Sequence, residues 1–169
     1  MLAILGTGTQ AGSHVQALRY VRDSTEVPVW GRTPDKAKAF AKKHGCIAMD
    51  AEDAVRGGDV VVTATSPQTP VLQNAWLKHI NAVGAPIATW RKLDDDVMSR
   101  CTVIADSRDA CSKESGDVIL SGAEIHAEIG EAVAGKASVN PATTTLFKGV
   151  GIATEDIFAA RLVYEKAVE

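Results

Sequence analysis

The residues able to do chemistry stand at the front of the chain, where the apolar run Met1-Leu2-Ala3-Ile4-Leu5 breaks into Gly6-Thr7-Gly8-Thr9-Gln10-Ala11. In this G-x-G-x-x-A pattern Gly6 permits a tight turn, Gly8 lets backbone approach a pyrophosphate, and the small Ala11 lets the following helix pack close to the strand. Amides of the first helical turn would face the phosphates. Glycines also occupy buried strand-to-helix turns for steric reasons alone, so the pattern takes its weight from its neighbours. An NAD site places an acid about 20 residues further on, at the exit of the second strand, to hold the adenosine ribose. Here that exit reads Trp30-Gly31-Arg32-Thr33, and Glu26 lies at the strand's other end. A guanidinium and a hydroxyl, with Lys36 one turn into the next helix, suit a ribose phosphate through charge-assisted hydrogen bonds. The expectation is NADPH in preference to NADH. The competing reading makes Arg32 a solvated loop residue and Thr33 only a helix cap.

The elements that must position these residues follow from periodicity. Ala11, His14, Val15, Leu18 and Val21 recur at three- and four-residue intervals, which predicts a helix over 10–22. Residues 27–30 predict a second strand. Thr33-Pro34 is a good N-cap and N1 pair for a helix over 34–44, which completes a βαβ unit. Further on, 51–56, 94–100, 123–134 and 154–168 predict helices, and 59–64, 80–83, 102–105 and 143–147 predict strands. Ile157, Ala160, Leu162, Val163 and Tyr164 form a broad apolar face on the last helix, which should pack on the sheet or on a partner. Uniformly apolar strands alternating with helices predict an α/β fold with a doubly wound, mostly parallel sheet of the Rossmann type.

With 169 residues and 46% hydrophobic content, the chain suits one domain over 1–169 that buries about 70% of its unfolded surface. A net charge of -3 without any basic block argues against nucleic acid. No apolar run approaches the roughly 20 residues of a membrane span, and no basic and apolar leader precedes Leu2, so a soluble, cytoplasmic protein is expected. Cys46, Cys101 and Cys111 read as partly buried free thiols. The histidines, at 14, 44, 79 and 126, lack metal-ligand spacing, and no metal site is expected.

Ordered segments along the whole chain resemble the ornithine cyclodeaminase and mu-crystallin family. They include Ile4-Leu5-Gly6-Thr7-Gly8-Thr9-Gln10-Ala11, Val29-Trp30-Gly31-Arg32-Thr33, Ala54-Val55-Arg56-Gly57-Gly58-Asp59-Val60, His79-Ile80-Asn81-Ala82-Val83-Gly84-Ala85 and Trp90-Arg91-Lys92-Leu93-Asp94-Asp95. Nearest to the mu-crystallin branch are Lys113-Glu114-Ser115-Gly116-Asp117-Val118-Ile119-Leu120-Ser121-Gly122-Ala123-Glu124-Ile125 and Thr144-Thr145-Leu146-Phe147-Lys148. The resemblance implies an NADPH-dependent reductase of cyclic ketimines or an NADPH-regulated binder of thyroid hormone. An inactive cofactor-binding fragment is the third reading, because the matches cover about the C-terminal half of a family member. The part that precedes them in the family supplies substrate-binding basic groups and most of a homodimer interface.

By position, the resemblance places Thr7, Thr9 and Gln10 at the pyrophosphate turn, Arg32, Thr33 and Lys36 at the adenosine phosphate, and Val83 beside the nicotinamide. Thr65 and Ser66 follow the buried strand, as cofactor contacts or as an ordinary loop. There are three departures. Pro86 stands where cyclodeaminases carry a catalytic aspartate, which disfavours ornithine cyclisation. Lys78 joins His79 directly, where the family has a few more residues. Gly149 replaces a serine. Asp106, Asp117 and Glu124 are dispersed and read as caps or surface carboxylates, so no catalytic residue is assigned.

Overall fold

A computed structural model describes residues 1–65, 70–72, 79–84 and 86–168. In chain order the elements are β1 (Leu2–Leu5), α1 (Thr9–Val21), β2 (Pro28–Trp30), α2 (Pro34–His44), β3 (Ile47–Ala48), α3 (Ala51–Val55), β4 (Val60–Thr63), β5 (His79–Val83), α4 (Asp95–Arg100), β6 (Cys101–Ala105), α5 (Arg108–Glu114), α6 (Gly116–Ser121), β7 (Ile125–Glu128), α7 (Ile129–Val133), β8 (Thr144–Gly149) and α8 (Ala153–Val168). The strands form one eight-stranded sheet in the order β3-β2-β1-β4-β5-β8-β6-β7, parallel at every pairing. The predicted α/β class and Rossmann-type sheet are therefore observed.

Parallel strands buried on both faces need apolar residues at successive positions, and β1 supplies them. Leu2 and Ile4 pack with Val27, Val29 and Val62 beneath Ala11 and Val15 of α1 and Phe40 and Ala41 of α2. Ala3 and Leu5 face the other way, into a larger cluster with Val61, Ile80, Val103 and Leu146, covered by α3, α4, α5 and α6. Each fully buried aliphatic side chain contributes about 1.5–3 kcal/mol, so this two-sided burial fixes where β1 ends and its turn begins. The α2 helix starts at Thr33-Pro34 and stops at Gly45, whose φ of +61° is left-handed. Arg19 of α1 donates from its guanidinium to the carbonyls of His44 at 2.6 Å and Gly45 at 2.7 Å, satisfying that helix end.

The last third differs from expectation. Residues 123–134 form β7 and then α7, because Ile125 and Ala127 alternate inward around an exposed His126 and pair with β6. A period of two prevailed over helix-forming residue types. The short β3, α5 and α6 are additional elements, the helices begun by Ser107, which accepts from the Ala110 amide at 3.3 Å, and Ser115, which accepts from the Val118 amide at 3.4 Å. The α8 helix forms where expected but does not pack on the sheet: none of its residues is buried, and Ile157, Phe158, Leu162, Val163 and Tyr164 stay exposed. Among the described residues, no helix is long and apolar enough to cross a membrane.

Candidate functional site

The strand order reverses direction at β1, with β2 on one side and β4 on the other. Open parallel sheets bind ligands at such a switch point, outside the carboxyl ends of the strands. The turn after β1 is wedged between the exits of its two neighbours. The Gly6 amide donates to the Trp30 carbonyl at 2.8 Å, its φ is +135°, and a Cβ there would fall well inside the Ala64 carbonyl. Only glycine fits. Thr7 then packs against Gly31, where a Cβ would lie 2.7 Å from the Thr7 methyl.

Gly8 is the N-cap of α1, and it leaves the helix start open. Among the described residues no side chain caps that end, no acid stands in the first turn, and a Cβ on Gly8 would meet nothing within 4 Å. Helices α2 and α3 also start without a side-chain cap but carry acids in the first turn, Asp35 in one and Glu52 and Asp53 in the other, and α4, α5, α6 and α7 begin on side-chain caps or a capping box. A helix start with unpartnered amides, a favourable dipole and open space is suited to an anion.

Two clefts flank this turn. One of about 580 Å³ runs from Thr7, Gly8 and Thr9 between α1 and α2, past Ser13, Lys36, Phe40, Lys43 and His44. The other, of about 470 Å³, lies beyond Gln10 and His14 and is walled by Thr65, Val83, Gly84, Asp106, Phe147, Gly149 and Val150, with Glu155 and Asp156 of α8 at its rim. The Thr65 hydroxyl oxygen is buried and has no hydrogen-bond partner among the described residues. A buried hydroxyl left so is costly unless a ligand or water meets it. An elongated molecule with a central anion and two flat ends fits this arrangement, so the residues present suit a dinucleotide.

The structure thus brings together Gly6, Thr7, Gly8, Thr9, Gln10, Gly31, Lys36, Thr65 and Val83 at the carboxyl edge of the sheet. Arg32 and Thr33 are exposed and line neither cleft. Ser66 lies outside the described residues, as does Lys78 of the shortened join. Asp106 and Asp117 are not surface carboxylates: they are 6% and 0% exposed. With Lys92 and Lys148, both 0% exposed, they form a buried charged set beside the second cleft. Sequence reasoning missed it. The one signal was a lysine directly after the apolar pair Leu146-Phe147 inside a strand.

The sequence matches the model of the Ornithine cyclodeaminase/mu-crystallin family over residues 1–169. A ketimine reductase mu-crystallin of Macropus fuliginosus is 46% identical over 98% of this chain and 54% of its own length. Among solved structures, the Delta(1)-pyrroline-2-carboxylate reductase of Thermococcus litoralis, in complex with NADH and L-proline, superposes with a TM-score of 0.90 at 34% identity, covering 99% of this chain and 58% of that one. An archaeal alanine dehydrogenase dimer with bound NAD gives 0.89 at 29% identity, covering 99% and 57%. The chain spans about half the length of the curated relatives it matches. Both solved relatives hold the dinucleotide without a ribose phosphate, which overturns the expectation of NADPH. The physical reason agrees: an arginine at the second strand's exit permits a phosphate contact without requiring one, and Arg32 here is turned to solvent.

Proposed function

Because the chain belongs to the ornithine cyclodeaminase/mu-crystallin family, we propose that it holds the dinucleotide of an NAD(H)-dependent oxidoreductase whose substrates are small imines bearing a carboxylate. The observation that carries this reading is the uncapped start of α1 over the Gly6–Gln10 turn, set between two clefts at the switch point. The names of the relatives, reductases of a ketimine and of a pyrroline carboxylate and a dehydrogenase of alanine, support hydride exchange at a carbon bonded to nitrogen.

In this reading the amides of Thr9 and Gln10 bind the pyrophosphate, and the cleft between α1 and α2 receives the adenosine side. Thr65 offers its unsatisfied hydroxyl to the other half, and Val83, Phe147 and Val150 give that half an apolar wall that excludes water from one face. Bound there, the reduced nicotinamide supplies a hydride. The chain's own part is orientation, since hydride transfer depends on holding donor and acceptor in register. Pro86 offers no proton-transfer group, which argues against cyclisation of a diamino acid.

The test is fluorescence titration of the purified chain with NADH and NADPH, followed by NADH consumption with Δ1-pyrroline-2-carboxylate. Saturable NADH binding, tighter than NADPH, is expected. Absence of NADH binding would sink the reading.

A further inference from the structure

We propose that the buried ammonium groups of Lys92 and Lys148 are positioning residues for the nicotinamide half of the dinucleotide, holding the carbonyls of Val83 and Gly84 inward and so setting the floor of the second cleft. The proposal rests on the dinucleotide reading above and adds a role for four buried charged residues that the fold alone does not require.

The wiring is specific. Lys92, in the segment leading into α4, donates from Nζ to the Val83 carbonyl and lies 3.5 Å from the Thr63 carbonyl, tying the ends of β5 and β4. Lys148 sits in β8 in register with Ala82 of β5 and Ala105 of β6. Its Nζ donates to the Gly84 carbonyl at 2.7 Å and to Asp117 Oδ2 at 2.8 Å. Asp117 Oδ1 accepts the backbone amides of Lys92 at 2.6 Å and Leu93 at 3.1 Å, so one carboxylate from α6 orders both lysines. The Gly84 amide donates to the Gly149 carbonyl at 2.9 Å. On the opposite wall Asp106 Oδ2 accepts the amides of Val150 at 2.8 Å and Gly151 at 2.7 Å.

Both strand exits that wall this cleft are therefore held from behind by buried charge. With the two carbonyls occupied inside the protein, Val83 and Gly84 present an apolar, fixed surface to the cleft, suited to the face of a planar ring. Stability alone would be served as well by packed apolar residues, because burying charge costs desolvation that pairing only partly offsets. That cost is visible at Lys92: burial, with the Lys148 charge beside it and Asp117 opposing, lowers its pKa to about 8. Preorganisation of a binding surface is what the expense obtains.

The experiment compares NADH with ADP-ribose, which has the pyrophosphate and adenosine but no nicotinamide, by calorimetric titration of the full chain. Lys92→Met keeps the stem, removes the repulsion with Lys148 and withdraws the donor from the Val83 carbonyl. Lys148→Met combined with Asp117→Asn removes the second hold without stranding a carboxylate. In each, NADH should bind about tenfold more weakly while ADP-ribose binds within about twofold of the unmodified chain. A folded variant that keeps NADH affinity, or loses both ligands in parallel, overturns the proposal. If the unmodified chain binds neither ligand, the dinucleotide reading itself falls and takes this one with it; if it binds both and the variants do too, only the positioning role is lost.

Discussion

The two halves of the sheet edge are built by different means. On the β1–β2 side, geometry comes from missing atoms: Gly6 and Gly31 make room for Ala64 and Thr7, and the core beneath, Leu2, Ile4, Val27 and Val29, is apolar throughout. On the β5–β8 side it comes from charge: Lys92, Lys148, Asp117 and Asp106 are buried and hold strand exits by hydrogen bonds to backbone. The difference teaches what each side is asked to do. A phosphate needs unobstructed amides, which small residues provide. A ring needs a flat floor whose polar groups are turned away, which demands partners for those groups inside the protein.

The largest expected effect lies on the charged side. Lys148→Met leaves the Asp117 carboxylate buried without its cation and should cost about 3–5 kcal/mol in urea unfolding, most of it recovered by adding Asp117→Asn. A loss near zero would mean that the charges do not hold this half. On the glycine side, Gly6→Ala forces a side chain into a left-handed position against the Ala64 carbonyl and should cost about 2–3 kcal/mol, with loss of NADH binding.

The third effect is a pH dependence. Lys92 has a pKa of about 8 folded, below its ordinary 10.5, so above pH 8 the unfolded chain binds the extra proton and stability rises with pH. The rise should be about 1 kcal/mol between pH 8 and 9. Above pH 9 the buried thiols oppose it, because burial raises Cys101 to about 11 and Cys111 to about 12, and the unfolded thiols ionise first. Denaturation midpoints of Lys92→Met should lack the rise; a profile identical to that of the unmodified chain would show that Lys92 is not the group responsible. The smallest effect is Arg19→Ala, which leaves the last carbonyls of α2 to water and should lower stability by about 1 kcal/mol in thermal unfolding, without changing ADP-ribose binding.

The pattern of what was legible follows the same division. Gly6, Gly8 and Ala11, the Thr33-Pro34 start of α2 and the apolar run of β4 are local signals, and the elements they predicted stand within a residue or two of their places. The terminal helix was equally plain, although its apolar face remains uncovered in this chain. Residues 123–134 were misread because their residue types favour helix, and the two-residue spacing of Ile125 and Ala127 is too short a signal until β6 supplies a partner. The NADPH expectation failed for a related reason: residue type at the β2 exit was legible, but the direction of Arg32 was not. Asp106 and Asp117 read as caps or surface carboxylates because, apart from the Ser107 amide and the Cys111 thiol beside Asp106, the partners that bury them lie 24 to 45 residues away in sequence.

What the sequence determined by itself was the alternation of strand and helix, the glycine turn and the family, because each is written in neighbouring residues through steric fit and apolar period. What only the tertiary structure decided was the insertion of β8 between β5 and β6, and with it the meeting of Lys148, Asp117 and Lys92 beneath Gly84. Charge burial depends on which strands become neighbours, and strand order is set by long-range packing that no local spacing encodes.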